Sequence, residues 1–129
     1  MHSTQPMAIV ADDDEDVRTI LAWYLSRDGY DVLKAADGKD ALRLLAAHPE
    51  VRVALIDLVM PNQEGIETIR AIRKRGGVKI VAMSGAFAGQ FLATARLLGA
   101  DATLLKPIKP ALLHDTLADI MRPQQIARA

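Results

Sequence analysis

The 129-residue chain is half hydrophobic, balances 16 Lys and Arg against 16 Asp and Glu, and has no cysteine. Such a length supports one globular domain that buries about two-thirds of its unfolded surface, with no room for a second. Zero net charge without a long basic run gives no electrostatic reason to propose nucleic acid or an anionic membrane as a partner, and the lack of cysteine excludes disulfides, thiol nucleophiles and thiolate metal sites, in keeping with a reducing cytoplasm.

Residues 1–6 are a polar leader without the charged head and long apolar core of a signal peptide, and no apolar stretch is long enough to span a bilayer. The expectation is a cytoplasmic chain with a flexible leader over 1–6, one domain over 7–122 and a polar tail over 123–129. Met7 to Ala11 is a short apolar strand that runs into acids. From Asp14 the period becomes helical, with Val17, Ile20, Leu21, Tyr24 and Leu25 recurring before Gly29. Asp31 to Ala35 is a weaker second strand. Asp37-Gly38 turns into a helix bearing Ala41, Leu42, Leu44, Leu45 and His48, ended by Pro49.

The run Val53 to Asp57 is too short for an ordinary helix and reads as a strand buried on both faces. Pro61, Asn62 and Gly65 break the chain before a helix over Gly65 to Lys74, which carries Ile66, Ile69 and Ile72 on one face and is closed by Gly76-Gly77. Lys79 to Met83 is a fourth strand, Gln90 to Leu98 a helix stopped by Gly99, and Ala102 to Leu105 a fifth strand. A last helix over Pro110 to Met121 offers Leu112, Leu113, Thr116, Leu117 and Ile120 as its apolar stripe. Five strands alternating with five helices predict an α/β fold, a doubly wound parallel sheet with helices on both faces.

Every strand of a parallel sheet delivers its carboxyl end to one edge. Strand one brings Asp12 and Asp13 there, strand three Asp57, strand four Ser84, and strand five Lys106 followed by Pro107. Two carboxylates about 4 Å apart repel by roughly 4 kcal/mol at an effective dielectric near 20, so such a cluster calls for a cation. Magnesium suits it, being a hard ion held by one or two carboxylates plus a phosphate, and no His or Cys cluster points to zinc. With negative charge screened, one carboxylate oxygen can attack phosphorus and form an aspartyl phosphate, with Lys106 and Ser84 binding phosphoryl oxygens.

These residues resemble the receiver domains of two-component response regulators, including the single-domain chemotaxis type. The resemblance covers Ala8 to about Met121 and rests on Ile9-Val10-Ala11-Asp12-Asp13-Asp14, Leu55-Ile56-Asp57-Leu58-Val59-Met60-Pro61, Met83-Ser84-Gly85 and Leu105-Lys106-Pro107, in that order and spacing. It implies a flavodoxin-like (βα)5 fold with strand order 2-1-3-4-5. It also implies Asp57 as phosphoacceptor, Mg2+ bound directly by Asp13, Asp57 and the Val59 carbonyl and through water by Asp12, and Ser84 and Lys106 as phosphoryl-binding groups. The Lys106-Pro107 bond would be cis. The partners implied are a histidine kinase or histidine phosphotransfer protein as donor and a downstream protein target, reached through the surface of helix four, strand five and helix five. The chain would not be an enzyme beyond its own phosphorylation and dephosphorylation, and would be a monomer or weak homodimer.

This sequence departs from the family pattern at Thr103, where an aromatic switch residue is usual, and at Gln63-Glu64-Gly65 in place of Met-Asp-Gly. Phe87 or Phe91 is the suggested substitute for the missing aromatic. Val59 and Ala86 offer no side chain to position an attacking water, so no specially fast loss of phosphate is expected. Thr103 is also the one feature favouring an alternative, a phosphorylation-independent interaction or dimerisation module; the intact Asp12, Asp13, Asp57 and Lys106 oppose it. A phosphohydrolase would want an acid where Val59 stands.

Taken singly, these residues have plainer roles. Asp14 is a good N-cap, Asp57 could be a turn residue, Lys106 a surface lysine, and Ser84-Gly85 a turn. Arg70, Arg73, Lys74 and Arg75 read as a solvated helix face, and His2, His48 and His114 lack ligand spacing. Trp23 falls off the first helix's apolar stripe. Receivers of this type dock their histidine-containing partners on that helix, so Trp23 with Arg18, Ala22 and Leu25 forms a candidate contact surface.

Overall fold

A computed structural model describes residues 5–60, 64–85 and 89–122, without the side chains of residues 64 and 89–91. In chain order its elements are β1 (Met7–Ala11), α1 (Glu15–Arg27), β2 (Asp31–Ala35), α2 (Gly38–Ala47), β3 (Val51–Asp57), α3 (Glu64–Arg75), β4 (Lys79–Ser84), α4 (Gly89–Leu97), β5 (Ala102–Leu105) and α5 (Pro110–Ile120). Compared with expectation, β3 starts two residues earlier at Val51 and β4 extends to Ser84. The pairings are all parallel and give the order β2-β1-β3-β4-β5. The order reverses at β1, so the crevice that open α/β sheets leave at such a switch point lies between β1 and β3.

Alternation along the central strands builds two cores. On one face Ile9, Ala11, Ala54, Ile56, Ile80 and Ala82 meet Ala41 and Leu45 of α2, Ile69 and Ile72 of α3, and Ala95 of α4. On the other, Ala8, Val10, Val53, Leu55, Val81 and Met83 meet Leu21 and Leu25 of α1 and Leu113 and Leu117 of α5. Burial on both faces is why β3 reads as an unbroken apolar run rather than an alternating one.

Local chemistry sets the helix ends. The Asp14 carboxylate accepts from the N–H groups of Asp16 and Val17, and Asp37 accepts from Asp40, so both are N-caps. Gly29, at φ 92°, takes the left-handed conformation that lets the Tyr30 N–H reach back to the Leu25 carbonyl and close α1.

Several expected faces are corrected. Ile20 is 49% exposed, because with Leu21 and Leu25 turned to the sheet the residue before Leu21 lies about 100° round the helix. Leu112 of α5 is turned outward for the same reason, next to buried Leu113. Leu25 is fully buried and cannot belong to a contact surface, whereas Trp23 is exposed with the Arg27 guanidinium 4.9 Å over its ring. Arg73 is not part of a solvated face: its guanidinium bonds the Gly99 carbonyl and the Asp101 carboxylate, which also accepts from the Ile80 N–H, tying α3 to the end of α4 and to β4. Arg75 reaches the Leu45 carbonyl at 3.2 Å. His48 and His114 lie beside Glu50 and Asp28, as surface residues do. No helix among the described residues is long and apolar enough to cross a membrane.

The expectations for residues 1–4 and 123–129, for Pro61, Asn62 and Gln63, and for Ala86 and Phe87 concern positions outside the described residues, as does the side chain of Phe91.

Candidate acidic phosphoacceptor site

The polar groups converge at the carboxyl edge of the sheet. Asp12, Asp13 and Asp57 each bring a carboxylate oxygen to within 4.8 Å of the others, and Asp12 and Asp57 are buried while Asp13 is exposed. The two buried acids come from adjacent strands, β1 and β3, whose registered pairing carries both chains to the same level.

Asp12 is held at every polar atom. Its N–H donates to the Ala35 carbonyl, Oδ1 accepts from the Asp14 N–H at 2.9 Å, Oδ2 accepts from Lys106 Nζ at 2.6 Å, and its carbonyl accepts from Arg18 Nη1 at 2.7 Å. Asp57 Oδ1 accepts from the Val59 N–H at 3.1 Å and Oδ2 lies 3.1 Å from Lys106 Nζ. Lys106 thus stands between two buried carboxylates. It is carried there by the Lys106 N–H bond to the Ser84 carbonyl at 2.7 Å, and it precedes Pro107 through a cis peptide. Ser84 is buried and among the described residues its Oγ has no hydrogen-bond partner. Thr103, on the outer strand β5, pairs with Ala82, back along the strand from the Ser84 and Leu105 pair that ends at this edge.

Electrostatics follow from burial and crowding. Burial pushes the Asp57 carboxyl above its ordinary value and the Asp12 charge adds to this, opposed by the Val59 N–H and Lys106. Burial alone would lower the Lys106 ammonium, but the hydrogen bond to Asp12 and the charges of Asp57 and Asp12 outweigh it and raise the group. One ammonium against three carboxylates leaves the cluster short of positive charge. The donor set contains only oxygens and fits a hard divalent cation such as Mg2+ better than zinc. The unpartnered Ser84 hydroxyl is a buried donor waiting for an acceptor, a need that a phosphoryl oxygen at Asp57 would meet.

Two contributors were absent from the sequence reading of the site. A Cβ at Gly65 would lie 2.4 Å from the Asp57 carbonyl oxygen and 2.6 Å from Leu58 Cα, so only glycine lets α3 start against the strand end that bears Asp57. The available signal was a glycine in the first turn of a helix, where it costs about 1 kcal/mol relative to alanine. Arg18 was assigned to an outer contact surface, yet its side chain lies back over the β1–α1 turn. Its spacing from Asp14 predicts this, because helical side chains cover the turn before their own Cα.

Comparison with known proteins follows the same lines. The family profile described as the response regulator receiver domain matches residues 8–118. The chain is 36% identical over 106 residues to the uncharacterized transcriptional regulatory protein YrkP of Bacillus subtilis (strain 168), covering 82% of this chain and 45% of that one. It is 32% identical over 120 residues to the alkaline phosphatase synthesis transcriptional regulatory protein PhoP of the same organism, covering 92% and 50%. Among solved structures, the Vibrio cholerae chemotaxis protein CheY4 superposes with a TM-score of 0.82 at 26% identity, covering 91% of this chain and 99% of that one. The chain spans about half the length of the transcriptional regulators it matches, and their role in transcription limits the expectation of no nucleic-acid partner to this stretch alone.

Proposed function

Since this chain belongs to the response regulator receiver domain family, we propose that it is a phosphorylation-dependent switch in two-component signalling, with Asp57 as phosphoacceptor. The observation that carries this is the trio of carboxylates, two of them paired with one ammonium, with the Ser84 hydroxyl at the end of the adjacent strand β4. Asp13, Asp57 and the Val59 carbonyl would hold Mg2+ directly and Asp12 through water. When bound, the ion supplies the positive charge that lets an anionic donor approach three carboxylates.

In the transfer an Asp57 carboxylate oxygen forms a bond to phosphorus while the bond from phosphorus to the imidazole nitrogen of a phosphohistidine breaks, the electron pair staying with the imidazole. Lys106, already between Asp12 and Asp57, neutralises the phosphoryl oxygens, and Ser84 donates its free hydroxyl to one of them. The Val59 N–H holds Asp57 Oδ1, and Oδ2, which lies against the Lys106 ammonium that would receive the phosphoryl oxygens, is the attacking atom. A phosphoryl group adds roughly −1.5 to −2 charges. Drawing Lys106 and Ser84 onto it shifts the ends of β5 and β4, and with them the surface of α4, β5 and α5 that meets a downstream protein. The donor is a histidine kinase or histidine phosphotransfer protein, and the chain works in the cytoplasm as a monomer or weak homodimer. The phosphorylation-independent module is not favoured, since every charged group required for phosphorylation is present and brought together.

Intact mass after incubation with acetyl phosphate tests the proposal. The wild type gains one phosphoryl mass only when Mg2+ is present, and Asp57→Asn gains none. A wild type unmodified both by acetyl phosphate and by a phosphorylated histidine partner would overturn it.

A further inference from the structure

Arg18 ends the first turn of α1, directly after Asp13, Asp14, Glu15, Asp16 and Val17. With four acids that close in sequence it would be expected to pair with one of them. Among the described residues it forms no ion pair. Its side chain instead donates from Nη1 to the main-chain carbonyl of Asp12 at 2.7 Å, in a half-buried contact, and its own N–H donates to the Asp14 carbonyl at 2.9 Å. The second bond is the ordinary first bond of the helix, which any residue would make; the bond to the carbonyl just before Asp13 is the arginine side chain's own contribution.

Asp13 needs such support. Asp12 is fixed through its own carboxylate by the Asp14 N–H and Lys106, and Asp57 by the Val59 N–H and Lys106. The exposed Asp13 side chain has no hydrogen bond or ion pair among the described residues, so its direction depends on the backbone that carries it.

We infer that Arg18 is a positioning residue for Asp13, clamping the β1–α1 turn through the Asp12 carbonyl so that the Asp13 carboxylate stays beside Asp12 and Asp57 and holds a divalent cation. The inference rests on reading the trio as the Mg2+ site. Arg18 touches neither the cation nor the phosphoryl group and acts through the turn alone. Groups that orient metal ligands in this way are commonly worth about 10- to 100-fold in metal affinity.

The charge and the bond of Arg18 act on a cation in opposite directions, and this makes the inference decidable. Removing a positive charge beside three carboxylates would by itself tighten Mg2+ binding, whereas removing the clamp loosens it. Calorimetric titration of the full chain with Mg2+ reads the sign. Arg18→Ala is expected to weaken binding by about tenfold or more, and Arg18→Lys, which keeps a donor and the charge, to recover part of the loss. Phosphorylation of Asp57 by acetyl phosphate in Arg18→Ala should return to near the wild-type rate once Mg2+ is saturating, which a general structural defect would not allow. Unchanged or tighter Mg2+ binding in Arg18→Ala, or a phosphorylation defect that saturating Mg2+ leaves in place, overturns the inference. The control Asp13→Asn separates two failures. If Asp13→Asn loses the ion while Arg18→Ala does not, only the positioning role falls; if the wild type binds no Mg2+, or Asp13→Asn binds it as the wild type does, the cation site itself falls with it.

Discussion

Lys106 is, among the described residues, the one cation between two buried carboxylates, so Lys106→Met tests the electrostatic account of the site most directly. At 2.6 Å from Asp12 and 3.1 Å from Asp57, its attractions amount to about 6 and about 5 kcal/mol at an effective dielectric near 20. Burying an ammonium opposes them by several kcal/mol. Because 21% of the lysine side chain is exposed, the net loss on replacing it with an uncharged side chain of similar length is taken at the low end for a broken buried pair, about 3 kcal/mol. For a domain of this size that lowers the melting temperature by roughly 10 °C.

Thermal unfolding at pH 7 in EDTA measures the effect, and two conditions check its origin. Mg2+ should restore Lys106→Met more than it stabilises the wild type, since the variant's carboxylates have lost the ammonium between them; at 100 times the dissociation constant the ion contributes about 2.7 kcal/mol. The raised Lys106 group contributes stability that is fully present below its ordinary value of 10.5 and disappears as the pH climbs through its folded value, so the variant's deficit should shrink at strongly alkaline pH. An unchanged or higher melting temperature in EDTA would refute the view that this ammonium balances charged acids.

Asp57 has the opposite sign from an ordinary ion-paired carboxylate. Its folded-state group is raised, so the folded state binds the extra proton and loses stability as the pH rises from 3.8 through that higher value; Asp57→Asn should therefore gain on the wild type over this window in urea titrations, and a variant that loses ground there would contradict the shift. Gly65→Ala forces a methyl group into the Asp57 and Leu58 backbone and is expected to lower stability by about 2–3 kcal/mol, read as a shifted urea midpoint; an unchanged midpoint would mean that α3 does not press on that strand end. Asp14→Ala removes the N-cap of α1 and should cost about 1 kcal/mol, with helix content in the unfolding baseline unaffected. Phosphorylated Asp57 should decay without special acceleration, as Val59 offers no group to orient water; timing the loss of phosphoryl mass checks this, and a lifetime of seconds would count against it.

How much of this was legible in the sequence depends on the scale at which a signal acts. The parallel sheet and the delivery of Asp12, Asp13, Asp57, Ser84 and Lys106 to one edge follow from strand alternation, because parallel strands bring their ends to one edge whatever the details of packing, whereas the strand order came from the family resemblance. Helix faces were less legible. Ile20 and Leu112 each adjoin a buried leucine, and an apolar stripe wider than the true contact cannot say which of two neighbours points inward. Arg73 differs for another reason: charge in sequence suggests water, while a long guanidinium stem can cross to a carbonyl that only tertiary structure supplies, here that of Gly99. Gly65 is the converse, a residue whose value lies in the side chain it lacks.

The ion pair between Asp12 and Lys106 joins residues 94 positions apart. All three carboxylates are made within the first 57 residues of the chain, but the hydroxyl arrives only with β4 and the ammonium only after β5. During synthesis the acids therefore emerge long before the cation that balances them, and no fragment ending before Lys106 assembles the full set. On the proposed reading, the groups that would act on a phosphoryl group at Asp57 are brought together only once β5 has docked.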